Sequence, residues 1–232
     1  MSMSLRVVVP PHPLIGHWLT LLRDRTTPSP LFATAMAELG RWLTYEALRD
    51  WLPERPVAIE TALASTEGRV IDPEVPLLAI PVLQAGLGLW QGAQGVLPTA
   101  RVAHLGLGHD LAGWGPVEEG DSLGLTFWYL DTLPKRIGER VGVLVFLPEL
   151  ATGTTLLAIL DRLAELGVSG PRLRVITTVA AAPGLRAVGE RHGDLTVYCA
   201  CIDPELDGNR VSPGCGNITA RLYGSDEDGC LG

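Results

Sequence analysis

Hydrophobic positions along the chain follow two patterns in turn. From Ser29 to Leu52, Leu31, Ala35, Leu39, Leu43, Ala47 and Leu48 recur at helical spacing, which predicts a helix with one buried face. Ser29 is its expected N-cap, Pro30 suits its first turn, and Pro53 stops it. After it come short runs that are apolar at nearly every position. PLLAIPVLQAGLGLWQGAQGVLP (76–98) opens with such a run, then a glycine-containing turn, then a second predicted helix. RVAHLGLG (101–108), VGVLVFL (141–147), RLRVITTVAA (172–181) and TVYCACID (196–203) are four more. Runs without alternation suit strands covered on both faces. With the helix predicted over 154–167 and closed by Gly167, strands and helices alternate, which predicts an α/β fold with a mostly parallel sheet flanked by helices. The stretch 110–140, rich in glycine and acidic residues and then aromatic at 127–129, interrupts the rhythm and reads as a hairpin or flap.

The 232 residues, 47% hydrophobic, suffice for one sizeable core. No apolar run reaches the roughly 18 residues that a membrane span needs, and the N-terminus, broken by Pro10, Pro11 and Pro13, does not read as a secretory signal. Net charge is −8, which argues against nucleic acid as a partner, because its phosphate backbone rewards clustered lysine and arginine. Cys199, Cys201, Cys215 and Cys230 fit no paired zinc spacing and read as small apolar residues in a reducing, cytoplasmic setting.

A parallel sheet binds ligands beyond the carboxyl ends of its strands. Four turns qualify: LQAGLG (83–88), LGHD (107–110), LPELATGTT (147–155) and VSPGCGNITARLYG (211–224). In LPELATGTT, Gly153 frees the backbone to approach an anion. The amides and hydroxyls of Ala151, Thr152, Gly153, Thr154 and Thr155 can then form a phosphate cup at a helix start. A plainer reading has Thr154 or Thr155 capping the helix while Gly153 eases the turn, and composition leaves the two level.

The ordered set VVPPHPLIGHWLTLLRDRTT, LTYEALRD, PVLQAGLG, ARVAHLGL, LPELATGTT and IDPELDGNRVSPGCGNITARLYG resembles uracil phosphoribosyltransferase over nearly the whole chain. The resemblance implies one phosphoribosyltransferase-type domain over 1–232, with a flap at about 107–135 and a C-terminal hood over the base at about 203–224. It also implies transfer of a phosphoribosyl group from phosphoribosyl pyrophosphate to uracil, giving UMP, with Mg2+, in a homodimer or larger assembly. Arg210, Val211, Pro213, Gly214, Gly216 and Asn217 fall in the base-binding hood.

Several positions depart from the family pattern. Leu147 stands where the family has an aspartate gripping the ribose hydroxyls, with Glu149 two residues on. Thr154 replaces a second loop glycine, Gln84 a pyrophosphate-facing arginine, and Gly108 and His109 the tyrosine and arginine of the flap approach. Asn217 and Ala220 replace two aspartates of the hood, and Arg210 its tyrosine. Arg23, Asp24, Arg25 and Thr26, with Tyr45, Glu46, Arg49 and Asp50, keep the family's pattern and read as scaffold, interface or salt-bridge residues. Charges fixed where pyrophosphate leaves are the main source of such catalysis. The expectation drawn from these replacements is a transferase relative with little remaining activity, acting as a nucleotide- or phosphate-binding or regulatory module. The alternatives are an active enzyme with a site rebuilt around Glu149, Gln84, His109 and Arg210, with Mg2+ in that case, or a structural partner in an assembly.

Overall fold

The computed structural model describes residues 5–74, 76–97, 99–109 and 126–224. In chain order its strands are β1 (Arg6–Val8), β2 (Glu54–Glu60), β3 (Ser65–Ile71), β4 (Leu77–Leu83), β5 (Arg101–Val102), β6 (Leu105–His109), β7 (Thr126–Asp131), β8 (Gly142–Leu150), β9 (Leu173–Ala181), β10 (Thr196–Asp203), β11 (Glu205–Asp207) and β12 (Arg210–Ser212). Its helices are α1 (Pro13–Arg23), α2 (Ser29–Leu48), α3 (Gly86–Ala93), α4 (Thr154–Glu165), α5 (Ala182–Arg191) and α6 (Ile218–Tyr223).

Eight strands form one sheet in the order β1-β10-β9-β8-β4-β6-β7, with β5 also beside β4. All neighbours are parallel except the edge pair β6–β7. The predicted α/β architecture is therefore the observed one. Helices α1, α2, α3 and α6 cover one face around Phe32, Met36, Leu39, Leu89 and Phe146. Helices α4 and α5 cover the other around Leu147, Leu156, Ile159 and Leu163. Every residue of β9 is buried, which explains its unbroken apolar run.

Local details differ from the periodic reading. Pro28, extended at φ −67° and ψ 150°, is the N-cap of α2, so Ser29 is its first helical residue. The helix ends at Leu48, well before Pro53. Leu31 lies 39% exposed while its neighbour Phe32 is fully buried, a one-position rotation of the predicted apolar face. Helix α1 begins at Pro13, with the His12 ring nitrogen accepting the Leu14 N–H at 3.1 Å; a proline in a helix's first turn starts it rather than breaking it. Two small hairpins stand off the main sheet: β2–β3, mostly exposed on both faces, and β11–β12, which leads into the hood. Among the described residues no helix is long and apolar enough to cross a membrane.

Candidate active site

The carboxyl ends of β4, β8, β9 and β10 meet at one edge of the sheet, and the turns after them build the site. Their side-chain alternation slips by one position there. Leu147 and Leu150 pack in the same core cluster although three residues apart, and so do Ile176 and Val179 opposite them. The slip falls at Pro148, whose missing N–H breaks the ladder, and its carbonyl accepts the Thr178 hydroxyl at 2.5 Å.

Leu147 is therefore not the end of its strand, as the sequence pattern suggested. It is 4% exposed and packs among the α4 side of the core, while β8 runs on to Leu150. Past the slip the strand turns Glu149 the other way, toward the hood. Glu149 is half-buried. Burial raises its carboxyl to about 7, opposed by the Arg210 guanidinium on β12, and the same carboxylate acts on the Cys215 thiol. No described residue gives it a hydrogen bond or an ion pair.

The next turn is the candidate phosphate cup. Gly153 adopts φ +90° as the N-cap of α4, and a Cβ there would press on the Gly184 carbonyl and the Val188 side chain. Gly184 in turn lies so close under the Ala151 carbonyl that only glycine fits. The loop is thus clamped to the start of α5. Thr152 Oγ1 lies 3.0 Å from Thr154 Oγ1 and 3.4 Å from the Thr154 amide. Thr154 and Thr155 begin α4, whose N-cap supplies no side-chain acceptor. The capping role considered for Thr154 or Thr155 is therefore not the one they play. Thr154 is helical, so the positive φ that would strain a threonine falls on Gly153 instead.

At the end of β4, Gln84 is exposed and precedes α3. Its carbonyl accepts the Tyr223 hydroxyl at 3.0 Å and the Leu87 amide at 3.1 Å. Gln84 does not touch the cup residues by any hydrogen bond. His109 ends β6, but its side chain and residues 110–125, including Asp110, Trp114 and most of the expected flap, lie outside the described residues. Cys230 lies outside them too. Of the 127–129 aromatics on edge strand β7, Phe127 is 50%, Trp128 37% and Tyr129 52% exposed.

The hood is held by a residue the sequence reading left out. Asp203, the last residue of β10 and 2% exposed, accepts Arg23 at 2.5 Å and the Gly214 amide at 3.0 Å. Its signal was available, an acid at the carboxyl end of a buried strand. Gly214 and Gly216 have φ of +57° and +71°, and the Ser212–Pro213 bond is cis. Asn217 caps α6 by accepting the Ala220 amide at 3.1 Å, and Ala220 is buried. Arg221 joins the hood to α1, donating to the carbonyls of Leu22, Asp24 and Cys215 and lying over the Phe32 ring. Val211 and Cys215 are buried, Arg210 exposed. The Cys199 and Cys215 thiols, pushed up to about 12 by burial, fit inert core roles.

A profile of uracil phosphoribosyltransferase matches residues 9–225. The chain belongs to the uracil phosphoribosyltransferase family. It is 47% identical over 226 residues to the uracil phosphoribosyltransferase of Synechococcus elongatus, covering 97% of this chain and 100% of that one. The Nostoc enzyme of the same name is 42% identical with the same coverage, and that of Nicotiana tabacum 38%, covering 94% of each chain. The solved structure of the AQ2163 protein from Aquifex aeolicus has a TM-score of 0.79 at 28% identity, covering 94% of this chain and 97% of that one. Full-length relatives at this identity, named as the enzyme, overturn the expectation of a family member that has lost its transferase activity. The physical reason lies in the site. In this uracil phosphoribosyltransferase family member, Leu147 is core, Thr154 starts a helix, and Asn217 and Ala220 serve α6, so the replacements do not converge on one ligand.

Proposed function

We propose that this protein is an active uracil phosphoribosyltransferase, moving a phosphoribosyl group from phosphoribosyl pyrophosphate to uracil to give UMP and pyrophosphate. The observation that carries the reading is the cup at residues 151–155, with Gly153 at positive φ and the amides of α4 opening onto the carboxyl edge of the sheet. The full-length likeness to enzymes of that name supports it. A phosphate seated there meets the positive end of the α4 dipole. The carbon that loses pyrophosphate develops positive charge, so a nearby carboxylate is the favourable counter-charge. Glu149, at the same strand end, is the carboxyl in a position to supply it, with Arg210 across from it as a cation for the ligand's anionic groups. Pro213–Gly216 presents main-chain groups to the base.

Mg2+ enters this reading as the counter-ion of the pyrophosphate donor. Among the described residues no three His, Cys, Asp or Glu side chains gather into a metal site, and Mg2+ commonly binds through substrate phosphates and waters. A homodimer belongs to the same proposal: the β2–β3 hairpin, with Ile59, Val70 and Ile71 each more than 40% exposed, is a surface that a second copy would cover. We place the reaction in the cytoplasm.

Calorimetry with phosphoribosyl pyrophosphate and Mg2+ tests the proposal. The expected result is micromolar binding; UMP binding without any donor binding would contradict it.

A further inference from the structure

The turn at the end of β4 is held from two sides. Tyr223, the last residue of α6, donates its hydroxyl to the Gln84 carbonyl at 3.0 Å. Tyr129, on β7, donates to the preceding carbonyl, that of Leu83, at the longer distance of 3.4 Å. The two tyrosines come from elements 94 residues apart and grip consecutive peptide groups.

Tyr129 reaches there through a bulge. The β6–β7 register pairs Gly106 with Leu130 and then Leu107 with Trp128, leaving Tyr129 as the extra residue. A bulge re-aims the side chain it carries, and such bulges recur beside active sites. The ring then lies flat on Gly106, where any Cβ would collide with it. Gly106 itself is paired with Leu83, the residue whose carbonyl the hydroxyl meets. Tyr223 is placed by α6, which Asn217 caps and which directly follows the base-binding segment of the hood. Partial desolvation raises the Tyr223 phenol above its ordinary value, so it stays a proton donor across the neutral range.

We propose that Tyr223 and Tyr129 are positioning residues that fix the 83–86 turn for the pyrophosphate end of the donor, Tyr223 linking that turn to the hood. The role assigned to the turn rests on the transferase reading above; the clamp itself rests on geometry. An anchored carbonyl sets the orientation of its whole planar peptide, and an ångström of misplacement in a positioning element costs catalysis heavily.

Tyr223→Phe keeps the ring and removes only the hydroxyl. Hydrogen–deuterium exchange over residues 83–88, with no substrate present, reads the clamp; faster exchange in Y223F is expected. Steady-state kinetics read its purpose: KM for phosphoribosyl pyrophosphate rises about tenfold, equivalent to about 1.4 kcal/mol, with KM for uracil and the melting temperature unchanged. Tyr129→Phe and Gly106→Ala produce smaller shifts in the same direction. Unchanged exchange in Y223F overturns the clamp, and faster exchange with an unchanged donor KM overturns its positioning role. Absence of UMP formation by the wild-type chain would defeat the transferase reading instead, and exchange would still decide the clamp.

Discussion

Arg23 and Asp203, 180 residues apart, meet across 2.5 Å and tie the end of α1 to the root of the hood. The Arg23 side chain is 27% and that of Asp203 3% exposed, so the pair is largely out of water. The other Asp203 oxygen takes the Gly214 amide. One carboxylate thus sets where the hood's backbone stands.

Replacing Asp203 with alanine leaves Arg23 without its partner and the Gly214 amide without its acceptor. Removing one member of a buried pair costs about 3–5 kcal/mol. Denaturant unfolding should show a loss of about 3 kcal/mol, and KM for uracil should rise more than KM for the donor.

Gly153→Ala puts a Cβ at φ +90° against the Gly184 carbonyl and Val188. The strain is on the order of 1–3 kcal/mol, and turnover should fall at least tenfold as the cup deforms. Thr154→Gly, restoring the glycine of the family pattern, should change turnover less than threefold, because Thr154 is helical. A large gain from T154G would contradict that placement.

Glu149 gives a pH prediction whose sign is fixed by its raised value. Its carboxyl titrates at about 7 in the folded protein against 4.5 ordinarily. The folded state therefore holds the proton more tightly, and the group's contribution to stability is present below about pH 4.5 and lost as pH rises through about 7. The loss is on the order of 2–3 kcal/mol. In Glu149→Gln that pH dependence should disappear between pH 5 and 8, and the acid limb of the rate profile near pH 7 should vanish with it.

Asn217→Ala removes the α6 cap and should destabilise by about 1 kcal/mol. Asn217→Asp, the family's residue, keeps the acceptor and should leave stability within about 0.5 kcal/mol. Calorimetric melting separates the two.

The α/β plan was legible because β4, β8, β9 and β10 are buried on both faces, and unbroken apolar runs leave few other homes. Helix α1 was hidden by three prolines, of which Pro13 is in truth its start. The β2–β3 hairpin was hidden because both faces are exposed, so no alternation marks it. At the site, the cup at Ala151–Thr155 was readable from its glycine and hydroxyls. The sidedness of β8 was not. A one-residue slip at Pro148 sends Leu147 into the core and Glu149 to the hood, and a motif alignment cannot express that slip. Reading Leu147 as a lost ligand followed from assuming a regular strand. The acid at Asp203 went unused because its partner, Arg23, is distant in sequence.

The central claim, an active transferase, is tested most directly by following UMP formation from labelled uracil and phosphoribosyl pyrophosphate with Mg2+. The account predicts turnover within an order of magnitude of about 10 s⁻¹, a common value for enzymes, falling at least tenfold in G153A. No UMP above the level of a heat-inactivated sample, from a chain that remains folded, would contradict it.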